Sequence, residues 1–381
     1  MCYDYVTVPN RQAPRRRAPL TLPRITTAVK LLPVRPWARA DSPLLPSAMP
    51  TIRTVAERAG VSIATVSRVM NNPQQVSEPT RLRVEQVMRE LDFSRNTFAA
   101  SLVTRRSDCI GLMVGNLSGS FFGPLINSVE EAVSAAGSYL IVSCGKDGAA
   151  EVAAGLQFLR QRRCDAIILF PGEMSDQQLQ ALLAVRPNLV LIHRNAAGFE
   201  DRCVQVDNRL GGQLAARCLI EHGHREIGVL AGPNDNPESA QRLAAFAHTL
   251  AAAGRPLRPQ RVVEGDFRFE SGRRGMAELL AREGRLSAVF CLSDHMAFGA
   301  LDYCRAHGID VPGRMSLLGF DGVEYAALVY PGLTTVEQPI VTLAHTAARI
   351  ALRLAAGHAS PGPQPLLTPQ LAIRDSVRRV V

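Results

Sequence analysis

The sequence predicts an α/β protein in which an N-terminal three-helix head, containing a helix-turn-helix, precedes a core of two doubly wound parallel sheets. Three observations lead to this prediction. Two short helical patterns stand on either side of a glycine turn at residues 60–62. Beyond residue 108, short apolar runs alternate with longer amphipathic stretches, the pattern of parallel strands joined by helices. The chain has 381 residues, enough for more than one hydrophobic core.

The positive charge of the chain is concentrated at its N-terminal end. The formal net charge is +9, and residues 1–48 hold 8 basic and 2 acidic side chains, against 9 and 6 in residues 49–108 and 26 of each in residues 109–381. This distribution favours contact between the N-terminal end and nucleic acid phosphates. A solvated basic tail without a partner is the alternative.

Residues 1–48 are rich in proline and arginine and show neither a helical nor a strand period, so we expect them to be disordered. Met49 directly precedes the first expected helix, which favours translation from Met49. A basic arm that contacts DNA and an organelle transit peptide, which has a similar composition, are the alternatives.

Several classes of protein are disfavoured by what the sequence lacks. No apolar run reaches eighteen residues, so no transmembrane helix is expected. The eight cysteines form no CxxC pair, which suggests reduced thiols in a cytoplasmic protein without a metal or cofactor. No GxSxG, HExxH, P-loop or GxGxxG motif stands at a strand-to-helix turn, and the histidines are scattered and expected mostly at the surface. We therefore expect a protein that is not an enzyme, although cleft carboxylates could imitate a glycosidase pair.

The head is predicted from its capping residues. Thr51 can cap a first helix that Gly60 ends, and Ser62 can cap a second helix over residues 63–70. A third helix is expected to begin at Ser77, with Pro79 in its first turn. The apolar residues expected to close a core between these helices are Ala56, Ala59, Val61, Val66, Val69, Leu82, Val84, Val87, Met88 and Leu91.

The second helix is predicted to enter the major groove of DNA. Small residues at its start allow close approach, Ile63 and Ala64 can touch a thymine methyl, and Arg68 can pair with guanine. Hydroxyl and amide side chains nearby suit phosphates, which fix position without reading sequence. The alternative is a helix-turn-helix that serves only as a packing unit. The expected DNA contacts in the head are Thr51, Ser62, Ile63, Ala64, Thr65, Ser67, Arg68, Asn71, Ser77 and Thr80.

The run AGVSIATVSRVMNN at residues 59–72 resembles the head of the LacI family of bacterial regulators, and the resemblance extends over residues 49–379. It implies a hinge helix that folds on the operator and wedges a leucine into the minor groove. Asn96, Ala99 and Leu102 stand at the matching positions. Arg95 replaces the proline that family members usually carry before the asparagine, and it could add a phosphate contact.

Seven strands are predicted in the core, at residues 109–114, 139–143, 166–170, 189–193, 226–230, 288–292 and 315–319, with helices at 123–136 and 209–222 among those between them. The resemblance implies the two-lobed fold of periplasmic sugar-binding proteins. Within the family the chain is most similar to the galactose repressor and isorepressor branch, through AGFEDRC at residues 197–203 and PIVTLAHTAARIAL at residues 339–352.

The resemblance also implies an effector site beyond the carboxyl ends of the strands. A sugar needs carboxylates and amides for its hydroxyls, an arginine fork and an aromatic face. His193 stands where relatives carry aspartate or asparagine, and Asn116 where they often carry aspartate. Asp294 could instead cap a helix or form a buried structural bond, and only one of Phe121 and Phe122 is expected to touch the ligand. The predicted effector contacts are Asn116, Phe122, His193, Glu238, Arg242, Phe267, Ser293, Asp294 and Asp321.

We expect a DNA-binding domain at residues 49–94, a hinge helix at 95–107 and an effector-binding and dimerisation core at 108–381. Two heads of a homodimer would read the halves of a palindromic operator. The resemblance implies a repressor that an inducing sugar, such as a galactose-like monosaccharide, removes from DNA. A purine or other metabolite acting as corepressor is the first alternative, and a sugar-binding transport component the second, which would need a secretory signal that the N-terminus does not show.

Overall fold

The computed structural model describes residues 50–93, 106–117, 120–145, 148–172 and 174–380. The chain divides into two compact units, Met1–Arg95 and Asn96–Val381. We call the first the head and the second the core. The predicted hinge contacts Asn96, Ala99 and Leu102 lie outside the described residues.

The head consists of three helices, α1 (Ile52–Ala59), α2 (Ile63–Asn71) and α3 (Glu78–Glu90). Thr51 caps α1 in a reciprocal arrangement with Thr54, and Gly60 ends the helix in the left-handed region at φ 65°. The hydroxyl of Ser62 accepts a hydrogen bond from the backbone of Thr65 and so caps α2. These caps set the length of the turn between α1 and α2, as the sequence predicted.

The core of the head is closed by small and β-branched residues. Val55, Val66 and Val84 are fully buried, and Ala56, Ala59, Val69 and Val87 surround them. Leu82 was expected in this core but is 49% exposed. The prediction was wrong because Leu82 precedes Val84 by two residues, a rotation of about 200° that places it on the opposite face of α3.

The first lobe of the core is a five-stranded parallel sheet in the order β2-β1-β3-β4-β5. Helices α4 and α12 cover one face, and α5 and α6 cover the other. The elements are β1 (Cys109–Val114), α4 (Phe122–Ala135), β2 (Tyr139–Cys144), α5 (Ala149–Gln161), β3 (Ala166–Leu169), α6 (Asp176–Val185), β4 (Leu189–Ile192), β5 (Cys203–Val204) and α12 (Ile340–Ala355).

The second lobe is a six-stranded sheet in the order β11-β10-β9-β8-β6-β7, in which only β11 runs antiparallel to its neighbour. A stacked pair of rings, Phe246 and Phe290, lies in its core. The elements are α7 (Asn208–Glu221), β6 (Ile227–Ala231), α8 (Pro237–Ala252), β7 (Val262–Glu264), α9 (Phe269–Arg282), β8 (Ala288–Cys291), α10 (Asp294–Ala306), β9 (Ser316–Asp321), α11 (Tyr325–Leu328), β10 (Thr334–Glu337) and β11 (Gln370–Ala372).

The structure confirms the predicted α/β class and the two parallel-dominated sheets. All seven predicted strands are present with ends shifted by no more than about two residues, as is usual for element boundaries. The sequence did not predict β5, β7, β10 and β11, which have two to four residues each. Within the ranges that the structure describes, no helix is long and apolar enough to cross a membrane.

The chain passes between the lobes three times. It leaves the first lobe after β5, returns after β10 to add α12 to the first lobe, and leaves again to add β11 to the second. Two of these segments are hydrogen-bonded together: the amide of Asp207 donates to the carbonyl of Leu367, and the amide of Leu367 donates to that of Gln205. The lobes are therefore joined by three crossing segments, an arrangement that allows hinge motion with little change inside either lobe.

Glycines allow α9 and α10 to pack at backbone distance. A Cβ atom placed on Gly299 of α10 would lie 2.0 Å from the carbonyl oxygen of Phe269, and one on Gly272 of α9 would lie 2.1 Å from that of Met296. Both clashes are with backbone atoms, which cannot turn away as a side chain can.

We predict that Gly299→Ala destabilises the protein by about 1–3 kcal/mol or more, because the two helices must separate. Gly123→Ala is the matched control, since Gly123 also lies in a helix but a Cβ there would meet nothing within 4 Å. The control should change stability by less than about 1 kcal/mol and toward greater stability. Urea unfolding of both variants measures the difference, and equal effects would contradict this account of the helix crossing.

Candidate functional site

The exposed face of α2 is the candidate DNA-binding surface. Ile63 is 49% exposed, Ala64 and Arg68 are exposed, and Val66 and Val69 on the other side of the helix are buried. Thr65 and Ser67 are partly exposed at the border. An apolar residue and an arginine on the open side of a short helix have the chemistry needed to reach thymine methyl groups and guanine edges.

Two of the hydroxyl residues around α2 are helix caps. Thr51 Oγ1 accepts from the amide of Thr54 at 3.2 Å, and Ser62 Oγ accepts from the amide of Thr65 at 3.1 Å. A phosphate contact by either residue would have to share the hydroxyl with its cap. Ser77 precedes α3 without a side-chain cap, and its hydroxyl donates to Thr80 Oγ1 at 3.0 Å. Asn71 ends α2, and its side chain lies outside what the structure describes.

A cavity of about 810 Å³ lies between the two lobes of the core, at the carboxyl ends of both sheets. Such a volume is within the range of small-molecule sites. Eight of the nine predicted effector residues line it, namely Asn116, Phe122, His193, Glu238, Arg242, Phe267, Ser293 and Asp321. The residues of the lining that sequence reasoning missed include Phe170, Asp235, Asn236, Asp266, Arg268, His295 and Gln338.

His193 directly follows β4 and is 3% exposed, with both ring nitrogens buried and neither of them hydrogen-bonded. Burial and the nearby charge of Arg242 lower the pKa of His193 to about 3. The imidazole is therefore neutral at physiological pH and offers one donor and one acceptor. A ligand hydroxyl, which also donates and accepts, is a matching partner.

Glu238, in the first turn of α8, faces His193 from the other lobe. Its Oε1 lies 3.6 Å from Nδ1 of His193, too far for a hydrogen bond, and the neutral ring makes no ion pair with it. Burial raises the pKa of Glu238 to about 7, although the charges of Arg242 and Arg194 oppose the rise. A ligand hydroxyl that donates a hydrogen bond to Glu238 would stabilise the carboxylate form of this side chain.

Arg242, one turn further along α8, is held rigidly. Its Nε donates to Asn208 Oδ1 at 2.7 Å, its Nη1 donates to the carbonyl of Leu292 at 2.9 Å, and its guanidinium lies 3.8 Å from the centre of the Phe320 ring. Nη2 takes no part in these bonds. The sequence indicated Arg242 as a ligand clamp, and the structure places it in the cavity wall with a fixed orientation.

Asp321, the last residue of β9, lies beside Arg242. Its Oδ1 is 3.9 Å from Arg242 Nη1 and accepts a hydrogen bond from Gln338 Nε2 at 2.8 Å. Burial raises the pKa of Asp321 to about 6 against the effect of Arg242. Gln338 Oε1 is buried without a partner. This acceptor was missed in the sequence because it directly follows the short strand β10, which was not predicted.

Aromatic rings form the apolar part of the cavity. Phe122 packs edge-on against both Phe121 and Phe170, at centroid distances of 5.2 and 5.3 Å. Both phenylalanines of the pair line the cavity, where only one was expected. In the second lobe the ring of Phe267 lies over Gly232, where a Cβ would come within 2.1 Å of the ring. These rings offer faces for the apolar side of a ligand.

Two of the predicted acceptors, Asp294 and Ser293, form hydrogen bonds within the protein. Asp294 is fully buried and does not line the cavity. Its Oδ2 accepts from the amides of Gly322 and Val323 at 2.9 Å, and its Oδ1 accepts from Thr335 Oγ1 at 2.6 Å. The buried structural bond considered as its alternative therefore describes Asp294 better than a ligand contact. Ser293 lines the cavity, but its hydroxyl caps α10 by accepting from the amide of Met296.

The lobes also meet through His295 and Ser120, whose Nε2 and Oγ atoms lie 3.3 Å apart across the cleft. Histidines away from position 193 were expected at the surface, and two of them differ. His295 lines the cavity, and His224 is fully buried between Ser287 Oγ and the carbonyl of Arg378, at 3.0 and 3.1 Å. The partners of His224 are 63 and 154 residues away, so no local pattern could reveal them.

Two family models match the chain. Residues 51–96 match the model of bacterial regulatory proteins of the lacI family, and residues 216–377 match a periplasmic binding protein-like domain. The first match covers the three helices of the head, and the second falls within the core.

Curated relatives are similar over most of the chain. The transcriptional regulator GalR of Escherichia coli K12 is 38% identical over 86% of this chain and 96% of its own length. The regulator GalS of Salmonella typhimurium LT2 is 36% identical over 86% and 97%. The transcriptional repressor PurR of Escherichia coli O139:H28 is 38% identical over 78% of this chain and 88% of its own length.

Solved structures share the fold. The lac repressor dimer bound to operator and an anti-inducer has a TM-score of 0.77 and 27% identity, over 86% of this chain and 99% of that one. A complex of the regulator CelR with cellobiose has a TM-score of 0.65 and 32% identity over the same shares. With relatives of this identity spanning nearly their whole length, the chain belongs to the lacI family of bacterial regulatory proteins.

Proposed function

We propose that this protein is a transcriptional repressor that binds a palindromic operator as a homodimer and releases it when a monosaccharide occupies the cleft. The observation that carries this proposal is the buried imidazole of His193, which has two unpartnered nitrogens in a cavity on the same chain as a helix-turn-helix. Buried polar atoms in proteins nearly always have hydrogen-bond partners, so atoms that lack a partner on the described residues favour a bound ligand as the partner. The relatives that are named as transcriptional regulators support the DNA-binding role.

The proposal assigns residues 49–94 to DNA binding, 95–107 to a hinge helix whose Asn96, Ala99 and Leu102 contact the operator, and 108–381 to effector binding and dimerisation. It is a function of binding and not of catalysis, in keeping with relatives that are regulators. Because its partner is DNA in a bacterial type of regulator, we infer a cytoplasmic location. The lac repressor, whose structure is a dimer on its operator, supports the dimer.

The polar groups of the cleft favour a sugar as effector. Neutral His193, the acceptor Glu238 and the unpartnered oxygen of Gln338 match a ring that carries several hydroxyls. The names of the galactose-type relatives and the cellobiose complex of CelR point the same way. The second candidate is a purine corepressor, which is favoured by the rings of Phe122, Phe170 and Phe267 around the cavity and by the similarity to PurR.

The first prediction of the proposed function concerns Arg68. Arg68→Ala should weaken binding to the operator by about 1–3 kcal/mol while affinity for a random duplex changes much less, because a base contact is lost. Arg89→Ala, which removes the same charge from the last turn of α3, should leave the ratio of the two affinities unchanged. Fluorescence anisotropy at fixed salt measures both. A ratio that falls equally in the two variants would contradict a base-reading role for Arg68.

The second prediction concerns His193. His193→Ala should lower the affinity for D-galactose about five- to thirtyfold, because a buried ring that bonds a hydroxyl contributes on the order of 1–2 kcal/mol. His345→Ala is the control, since His345 is exposed on α12 and lies outside the cleft. Isothermal titration calorimetry measures both affinities. Unchanged affinity in His193→Ala would remove this residue from the site.

The third prediction is a pH dependence. The pKa of Glu238 is raised to about 7 by burial, so its carboxylate form is scarce at pH 6 and dominant at pH 8. The groups that face it are His193, Arg194, Arg242 and Asp321. If a sugar hydroxyl donates to the carboxylate, affinity for D-galactose should rise about tenfold from pH 6 to pH 8.

Glu238→Gln stays neutral throughout this range and should give a much flatter profile, whatever its absolute affinity. The residual slope belongs to Asp321, whose pKa is raised to about 6. Calorimetric titrations at pH 6, 7 and 8 make the comparison. A profile that falls with pH, or an equally steep profile in Glu238→Gln, would show that the carboxylate does not accept from the ligand.

A further inference from the structure

Backbone strain in the described residues is concentrated at two places in the core. Six residues other than glycine have positive φ, and they are Asp92, Asp108, Arg163, His193, Phe267 and Asp321. Three of them line the cleft. Asp108 and Arg163, at φ 54° and 58°, lie instead where the described chain enters the first lobe. Such conformations persist only where the surrounding contacts hold them. Arg163 follows the end of α5, where the amide of Cys164 donates to the carbonyl of Leu159 and closes the helix around a left-handed residue.

Asp165 supplies the contacts that hold Asp108. Its carboxylate accepts from the amide of Ser107 at 2.9 Å through Oδ1 and from the amide of Asp108 at 2.8 Å through Oδ2. The hydroxyl of Ser107 donates to the carbonyl of Arg163 at 2.6 Å. We call these four residues the Asp165 clamp. Two consecutive backbone amides on one carboxylate form a charge-assisted pair, which is stronger than neutral hydrogen bonds.

The clamp is tied to the sheet on either side. The amide of Asp165 donates to the carbonyl of Cys109 at 2.8 Å, and the amide of Tyr139 donates to the carbonyl of Asp108 at 2.8 Å. Asn188 Nδ2 donates to the carbonyl of Asp165 at 2.9 Å. The segment that enters the lobe is therefore held at the amino ends of β1, β2, β3 and β4.

The same strands reach the cleft at their other ends. β1 runs from the clamp toward Asn116, and β4 runs from Asn188 toward His193. The strands of this parallel sheet are hydrogen-bonded to one another, so a hinge motion would reorient them together. A reorientation of the first lobe would therefore carry residues 107 and 108 with it.

We propose that Asp165 is a positioning residue which fixes the direction of residues 107 and 108 and thereby raises the affinity of the dimer for its operator. This inference rests on the proposed function. Without the carboxylate, the two residues would regain backbone freedom that must be lost again when both heads dock on DNA. Affinity for random duplex, which depends on phosphate contacts of the head, would not require that order.

The test compares the full-length protein with Asp165→Ala, Asp165→Asn and the control Asp201→Ala. Asp201 precedes β5 of the same sheet, as Asp165 precedes β3, and its carboxylate lies 3.9 Å from Arg202. The probe is a duplex that the wild-type protein selects from a random-sequence pool, and a random duplex is the reference. Hydrogen exchange at the amides of Ser107 and Asp108 reports the clamp directly.

Asp165→Ala should bind the selected duplex about tenfold more weakly, keep its affinity for the random duplex within about twofold, and exchange both amides faster. Asp165→Asn, which keeps one acceptor oxygen, should fall between wild type and alanine. An affinity ratio in Asp165→Ala equal to that of Asp201→Ala would overturn the inference, even if the melting temperature fell. If the wild-type protein selects no sequence at all, the proposed function fails first, and the two failures are distinguishable.

Discussion

The cleft between the lobes buries polar groups that no residue in the described ranges satisfies. Within those ranges, both nitrogens of His193 and the oxygen of Gln338 have no hydrogen-bond partner, and each group left in this way costs about 1–3 kcal/mol. Burial also keeps Glu238 partly protonated near neutral pH. Positive φ at His193, Phe267 and Asp321 adds strain in the same place. In the proposed function, a ligand with hydroxyl groups would relieve much of this cost, and its binding free energy would then depend on the separation of the two lobes.

This dependence connects the site to the rest of the fold. His193 belongs to the first lobe and Glu238 to the second, so a ligand between them favours one separation of the lobes over others. In the second lobe, Arg242 is held in one orientation by Asn208 and by Phe320, so the ligand meets a rigid wall on that side. At the amino ends of β1 and β3, the Asp165 clamp holds residues 107 and 108. In the proposed account, a reorientation of the first lobe at the cleft also moves these two residues.

The sequence predicted best where structure is set by neighbours along the chain. Thr51, Gly60 and Ser62 determine the ends of their helices through contacts three or four residues away, and the structure confirms them. The apolar runs of β1 and β9 were likewise predicted as strands, and the structure confirms them. Leu82 was wrongly predicted to be buried, because it lies two residues before the buried Val84 and therefore faces the other side of α3.

The cleft was harder to predict because its geometry depends on distant residues. Asp294 follows a strand as a ligand residue would, but its partners come from 28, 29 and 41 residues further along the chain. The side chain of Gln338, which follows the short strand β10, donates to Asp321 at the end of β9. The sequence did not predict β10, so this contact could not be expected. The side chains facing the cavity could be named from the family resemblance, whereas their roles as ligand contacts remain predictions.

The central claim is that occupation of the cleft by a sugar governs operator binding. The direct measurement is fluorescence anisotropy of a labelled duplex selected by the wild-type dimer, titrated in turn with D-galactose, other monosaccharides and free nucleobases at constant salt. The account predicts that a monosaccharide releases the duplex while nucleobases leave it bound. Tighter binding on addition of a nucleobase, with no response to any sugar, would contradict it.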